Sequence, residues 1–156
     1  MKKLLIILIA ALLFVLPACG KKAGAPSLDI ETVTEKAEAA VGFPTAGMYT
    51  ADRTYMHTFV VVDEAAVGDF VMKLPTSGLS INEYGVFIAA EGRERDVEAA
   101  IRAYLGLRKD TYDERYQGEG LVVDEGKCGR RGRYVYYVIG DGDFDALDKL
   151  FKELTK

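Results

Sequence analysis

Four basic residues surround a cysteine near position 130: Lys127, Arg130, Arg131 and Arg133 lie close to Cys128. They could bind an anion of the teichoic-acid type, or lower the pKa of the thiol and make it redox-sensitive. The same charges at a solvated hairpin tip would discourage sheet edges from pairing. We favour the hairpin tip and keep the surface contact as the alternative.

Tyrosines form a second candidate site. Tyr134 and Tyr136 lie on one face of a predicted strand, Tyr137 lies on the opposite face, and Tyr84 lies on another strand. An exposed aromatic row could bind carbohydrate or peptide. More often, tyrosines in such positions pack under a helix with the hydroxyl at the rim, and we favour that interpretation. The contact surface that we keep as the alternative comprises the basic residues above together with Tyr134 and Tyr136.

Two other motifs favour structural roles. His57 is the single histidine, and no nucleophile motif accompanies it, so we interpret it as a partly exposed structural residue. The run from Asp141 to Asp145 begins like a calcium loop, but Ala146 and Lys152 stand where Gly and Glu are required. These acidic residues are instead typical of a helix N-terminus. We therefore predict no catalytic residue, cofactor site or metal site.

The first twenty residues carry the most specific motif. Lys2 and Lys3 precede an unbroken apolar run of 13 residues, from Leu4 to Leu16. This run is shorter than the ~20 residues that span a bilayer, and it has the length of a signal-peptide core. It ends in Leu-Pro-Ala-Cys, with Cys19 last, which resembles the bacterial lipobox. The resemblance implies cleavage before Cys19 and thioether attachment of a diacylglycerol to its sulfur.

This motif sets the expected domain organisation. Residues 1–18 would be a lipoprotein signal peptide, residues 19–26 the lipidated N-terminus and a flexible tether, and residues 27–156 one globular domain. We expect a cell-membrane location, lipid-anchored on the extracytoplasmic face, with palmitate among the acyl chains. Two acyl chains suffice for stable anchoring, so membrane lipid is the first predicted partner.

Composition excludes several classes. The hydrophobic fraction is 49% and is enriched in the leader, which leaves an ordinary soluble composition for the rest. A polytopic membrane protein and a disordered chain are therefore excluded. Without Lys2 and Lys3 the chain carries 18 basic and 24 acidic residues, a formal charge of −6. Such a domain is a poor nucleic-acid binder, so no nucleic-acid partner is expected. If Cys19 is acylated, Cys128 has no disulfide partner within the chain.

Periodicity predicts an α+β fold. Helices are expected over residues 27–41, 93–116 and from about 144 onward, with Asp29 and Asp143 as caps. Strands are expected over residues 70–74, 83–90, 121–123 and 134–139, with a glycine-rich turn over residues 125–132. Residues 45–69 fit either short helical turns or a strand. The order ββαββα after a leading helix predicts an antiparallel sheet of about four strands with helices mainly on one face.

The whole layout resembles a bacterial lipoprotein family, the domain of unknown function 4358 family. The shared features are the lipobox leader, an acidic first helix, Asn-Glu-Tyr-Gly-Val-Phe from Asn82 to Phe87, and Arg-Tyr-Val-Tyr from Arg133 to Tyr136. The resemblance spans roughly residues 27–154. It implies helical turns near residues 54–61, and it supplies no functional residues.

The sequence therefore predicts a lipid-anchored extracytoplasmic lipoprotein of the cell envelope that acts as a binding or interaction module. An envelope protein or a cell-wall component is the expected partner. The alternatives are a small-ligand or cell-wall-binding protein and, less favoured, a cell-wall enzyme. A domain of this length is short for a two-lobed substrate-binding protein, and no recognised catalytic motif supports the enzyme.

Overall fold

A computed structural model describes residues 28–77, 80–116 and 126–156. Within those ranges the chain is α+β, with one five-stranded antiparallel sheet and four helices. The helices are α1 (Ile30–Val41), α2 (Arg53–Phe59), α3 (Glu94–Tyr116) and α4 (Phe144–Leu154). The strands are β1 (Tyr49–Thr50), β2 (Val67–Leu74), β3 (Glu83–Ala89), β4 (Lys127–Arg131) and β5 (Tyr134–Ile139). A short 3₁₀ turn, Glu64–Ala66, leads into β2.

The predicted fold class is confirmed, and two of its details are corrected. The described sheet has five strands in the order β1-β2-β3-β5-β4, and its two edge strands, β1 and β4, are not among the strands that the sequence predicts. Helices cover both faces of the sheet, rather than mainly one. Helix α3 packs on one face, and α1 packs with α4 on the other. Both faces of the central strands are therefore buried.

Strict alternation in β3 and β5 builds the two apolar layers. In β3, Tyr84, Val86 and Ile88 contact the layer under α1 and α4, whereas Phe87 and Ala89 face α3. Every residue of β3 and β5 is buried. Such double burial explains why both strands are almost continuously apolar or aromatic.

The helix ends follow the local signals in the sequence. The Asp29 side chain accepts a hydrogen bond from the Thr32 amide at 2.9 Å, and Gly42 ends α1 in the left-handed region at φ 79°. The Asp143 side chain likewise accepts from the Ala146 amide at 2.9 Å. The prediction that Asp143 caps the last helix is therefore confirmed.

Three local predictions have different outcomes. The helical turns expected from the resemblance near residues 54–61 are confirmed by α2. The glycine-rich turn over residues 125–132 is wrong, because Lys127–Arg131 is a strand paired with β5 and the turn itself is at Gly132 and Arg133. The strand predicted over residues 121–123 lies outside the described residues.

Gly85 is required by close packing in the central strand. A Cβ at Gly85 would overlap the ring of Tyr137, which lies opposite it on β5. We expect Gly85→Ala to lower the free energy of unfolding by about 1–3 kcal/mol through overpacking. Gly106 on α3 has open space where a Cβ would lie, so Gly106→Ala should raise stability by ~0.5–1 kcal/mol. Urea unfolding of the two variants should therefore show shifts of opposite sign, and equal shifts would contradict this packing.

Candidate functional site

An open cleft of about 490 Å³ lies where the end of β2 meets the last turns of α3. Most of its lining residues are aromatic or carry a hydroxyl group. They are Tyr49, Tyr55, Leu74, Pro75, Thr76, Ser77, Ser80, Arg108, Thr111 and Tyr112. We call this site the Tyr55–Arg108 cleft. Its volume lies within the range of roughly 300–1,000 Å³ that is usual for small-molecule sites.

Three elements place the aromatic side chains and Arg108. The edge strand β1 carries Tyr49, and the Asp52 side chain caps α2 by accepting from the Tyr55 amide at 2.8 Å. The Tyr55 hydroxyl lies 3.4 Å from the hydroxyl of Tyr104 on α3. Helix α3 adds Arg108 and Tyr112, which are one turn apart and therefore share a face.

Behind the cleft lies a buried carboxylate, Glu83, with a fully buried side chain. Its Oε1 accepts hydrogen bonds from the hydroxyls of Tyr104 at 2.5 Å and Tyr137 at 2.7 Å. Its Oε2 accepts from Nε of Arg108 at 3.0 Å and lies 2.9 Å from Nη2 of the same residue. Both oxygens therefore have partners, as a buried charge requires.

Burial raises the pKa of Glu83 above its usual value, and the Arg108 charge and the two tyrosine hydroxyls oppose that rise. Burial alone would lower the pKa of Arg108, but the Glu83 carboxylate raises it above its usual value. Arg108 is therefore the cationic member of the pair. Burial also raises the pKa of Tyr104 and Tyr137, so both remain hydroxyl donors to Glu83.

Arg108 joins this buried network to the cleft. Its Nη2 donates to the Tyr112 hydroxyl at 2.5 Å, and its guanidinium carbon lies 4.6 Å from the centre of the Tyr112 ring. Its side chain keeps 17% of its surface exposed. The contacts with Glu83 and Tyr112 use Nε and Nη2, and Nη1 takes part in neither. Glu83 and Tyr112 therefore fix the guanidinium of Arg108, which is one of the residues that line the cleft.

The basic cluster predicted from the sequence is largely paired on the molecule. Arg130 Nε lies 2.7 Å from Oε2 of Glu98 on α3. Arg131 contacts Asp148 on α4 at 2.7 Å, and Arg133 Nε donates to the Ala89 carbonyl at 2.8 Å. The edge strand β4 therefore forms salt bridges with α3 on one face of the sheet and with α4 on the other. Anion binding by Lys127, Arg130, Arg131 and Arg133 stays a prediction.

The tyrosines of β5 are not surface residues. Tyr134 and Tyr136 are 1% and 0% exposed, so the prediction that they form an exposed contact row is wrong. The Tyr136 ring stacks on Phe151 at 4.3 Å, and its hydroxyl donates to Asp148. The Tyr134 hydroxyl bonds the backbone of Leu28 at 3.3 Å. Both pack under helices with the hydroxyl at the rim, because helices cover this face as well.

Asp148 provides a pH-dependent test of this side of the molecule. Hydrogen bonds from Arg131 and then Tyr136 lower its pKa. A lowered folded-state pKa contributes stability above the unfolded value, and that contribution is lost as pH falls through the folded value. We expect Asp148→Asn to cost ~1 kcal/mol near neutral pH and to flatten the loss of stability below about pH 4. Urea unfolding across acidic pH checks this. Asp110→Asn, a substitution at an exposed position, is the control. If the free energy of unfolding falls with acidic pH equally steeply in Asp148→Asn and in this control, the prediction is contradicted.

Cys128 and His57 are the two remaining candidate residues from the sequence. Burial raises the pKa of Cys128 to about 11, with Arg102 opposing, so the interpretation as a thiol of lowered pKa is wrong. His57 Nε2 lies 3.5 Å from Oε1 of Glu64, and the histidine side chain is 33% exposed. In the described ranges, no group of three or more His, Cys, Asp and Glu side chains is placed to hold a metal ion.

Comparison with known proteins gives no identification: no protein-family model, no curated protein and no solved structure matches the chain. The described helices include none with the length and apolar character needed to span a bilayer. The interpretation of the site therefore depends on its own geometry.

Sequence patterns do not single out the residues of the cleft. Helical spacing places Arg108 and Tyr112 in the buried stripe of α3, and Glu83 falls at the start of a strand. The sequence does contain one signal of this pair: β3 and α3 each carry a charged residue at a position that the pattern predicts to be buried. Glu83 and Phe87 are four residues apart in β3, so both side chains lie on the sheet face that α3 covers. A buried carboxylate on that face needs a partner of opposite charge, and the buried stripe of α3 contains one in Arg108.

Proposed function

We propose that this chain is a membrane-anchored extracytoplasmic lipoprotein whose domain binds a component of the cell envelope in the Tyr55–Arg108 cleft. The observation that carries the proposal is the cleft itself. It combines the exposed Tyr49 ring and the partly exposed Tyr55 ring with hydroxyl groups and the Arg108 guanidinium, which Glu83 fixes from behind. A few fixed polar groups among aromatic walls are typical of binding sites. The resemblance to the domain of unknown function 4358 family stays a prediction.

The placement of the cleft suits a membrane-anchored module. The chain enters the described domain at Leu28, which bonds Tyr134 at the start of β5, on the face covered by α1 and α4. The cleft adjoins Glu83, which pairs with Ile139 at the other end of β5 and faces α3. With Cys19 in the membrane and a tether reaching roughly 30 Å, the cleft can lie on the side away from the bilayer.

Glu83 supports binding rather than acid catalysis in this arrangement. Its carboxylate is fully buried, and both oxygens are occupied by Tyr104, Tyr137 and Arg108. A catalytic acid must come within hydrogen-bond reach of the substrate. Glu83 instead positions Arg108, which lines the cleft.

The test is binding to isolated cell envelopes of the full-length chain carrying Cys19→Ser, so that acyl chains do not contribute to the binding that is measured. Thr111 is exposed on the cleft wall, so the larger side chain of Thr111→Trp should obstruct part of the cleft and weaken binding about tenfold, equivalent to ~1.4 kcal/mol. Ala99→Trp adds the same side chain at an exposed position of the same helix, outside the cleft lining, and should leave binding unchanged. Equal binding by both variants and the parent Cys19→Ser chain would overturn the proposal.

A further inference from the structure

Hydroxyl groups dominate the wall of the Tyr55–Arg108 cleft. Seven of the ten described residues that line it carry one: Tyr49, Tyr55, Thr76, Ser77, Ser80, Thr111 and Tyr112. A hydroxyl both donates and accepts hydrogen bonds. A ligand that is itself rich in hydroxyl groups complements such a wall without needing a fixed pattern of donors and acceptors.

Aromatic rings extend from the cleft onto the surface. Tyr49 and Tyr55 lie edge to face with centroids 6.4 Å apart, and Tyr55 and Phe59 follow at 4.5 Å. Tyr49 is 45% exposed and Phe59 is 39% exposed. Tyrosine rings offer an apolar face with a polar tip. A sugar ring has the matching character, because its C–H face is apolar and its edge carries hydroxyls.

Charge decides between neutral and anionic ligands. Among the described residues that line the cleft, Arg108 is the one that carries a charge, and Glu83 pairs with it at 2.9 Å from the buried side. An anionic ligand would add a second negative charge to a guanidinium that is already paired. It would also approach a domain expected to carry a formal charge of −6. An uncharged ligand can accept a hydrogen bond from Nη1 of Arg108 without either cost.

A second depression of about 240 Å³ continues the site. It shares Pro75, Thr76, Ser77 and Ser80 with the first cleft and adds residues such as Met48 and Asn82. The two depressions therefore form neighbouring subsites along one wall. Such a surface has room for a ligand of more than one ring.

From these observations we infer that the ligand of the Tyr55–Arg108 cleft is an uncharged carbohydrate of one or more sugar rings. The exposed Tyr49 ring stacks on the sugar face, Tyr55 presents its edge beside it, the wall hydroxyls bond the sugar edge, and Arg108 donates from Nη1 to a sugar oxygen. This inference rests on the proposed function and specifies its ligand class.

The experiment titrates the full-length protein in detergent with four soluble probes and follows the tyrosine ring signals by ¹H–¹³C NMR. Cellobiose and N,N′-diacetylchitobiose are the uncharged disaccharides. Cellobiouronic acid differs from cellobiose by one carboxylate, and acetyl-dialanine supplies a peptide with a free carboxylate. We expect saturable shifts at Tyr49, Tyr55 and Tyr112 with at least one uncharged disaccharide. The acid should bind about tenfold more weakly than cellobiose or not at all.

Two variants locate the binding. Thr111→Trp should reduce disaccharide affinity about tenfold, whereas Ala99→Trp should not change it. Arg108→Lys keeps the charge opposite Glu83 but removes Nη1, so it should also weaken binding. Circular dichroism shows whether each variant is folded. If Arg108→Lys is unfolded, the disaccharide affinity of Thr111→Trp alone tests where the sugar binds.

Several results would overturn the inference. They are tighter binding of the acid or the peptide than of either uncharged sugar, or no saturable shift with either disaccharide at millimolar concentrations. If Thr111→Trp abolishes envelope binding while neither disaccharide binds, the ligand class fails and the proposed function stands. If Thr111→Trp leaves envelope binding unchanged, the proposed function itself fails.

Discussion

Replacing Glu83 by leucine is expected to lower the free energy of unfolding by about 3–5 kcal/mol. The substitution removes the acceptor of two buried hydroxyls, Tyr104 and Tyr137, and the counter-charge of Arg108. A buried donor left without a partner costs about 1–3 kcal/mol, so the losses accumulate. The measurement is the urea-unfolding midpoint and slope of the variant against the unmodified protein.

Two further variants separate hydrogen bonding from packing. Glu83→Gln keeps an amide oxygen as acceptor, so it should cost less than Glu83→Leu. Adding Tyr104→Phe and Tyr137→Phe to Glu83→Leu removes the unpaired donors and should recover part of the loss. If the triple variant is less stable by the full sum of its single changes, the hydroxyls do not act through Glu83.

Replacing Cys19 by serine is expected to abolish lipid attachment completely. A thioether forms only at a cysteine sulfur, and the chain contains two cysteines, Cys19 and Cys128. Cys128 belongs to the paired edge strand β4 and packs against the core beneath α3, so it is a matched control. Metabolic labelling with an alkynyl palmitate should mark the unmodified protein and Cys128→Ser equally, and leave Cys19→Ser unlabelled.

The labelling has two contradicting outcomes. An unlabelled unmodified protein would show that the lipobox is not used. A Cys19→Ser variant that stays labelled would place the lipid elsewhere on the chain. Either result would remove the membrane anchor from the proposed function while leaving the cleft to be tested separately.

Local signals predict much of this fold because they act over a few residues. Asp29 and Asp143 cap helices as expected, and the alternation of β3 correctly separates Tyr84 and Val86 from Phe87. Helical spacing also identifies the buried stripe of α3. These patterns depend on backbone geometry, which is the same in any fold.

The features that the sequence does not predict depend on tertiary contacts. Strand β4 contains Gly129 between charged residues and resembles a turn, yet Gly129 is required where a Cβ would overlap the Tyr136 ring. The sequence predicts helices mainly on one face, whereas α1 and α4 cover the face that carries Tyr136 and α3 covers the other. Glu83 and Arg108 are 25 residues apart, and only the packing of α3 on the sheet brings them together.

The Tyr55–Arg108 cleft is, in our proposal, the place where this protein binds its envelope ligand. Photocrosslinking in intact cells tests this directly, with p-benzoylphenylalanine placed at Thr111 in the cleft or at Ala99 on the same helix. We expect an adduct from position 111 that glycan-degrading enzymes shorten, and no such adduct from position 99. Identical adduct patterns from the two positions, or an adduct from position 99 alone, would contradict the proposal.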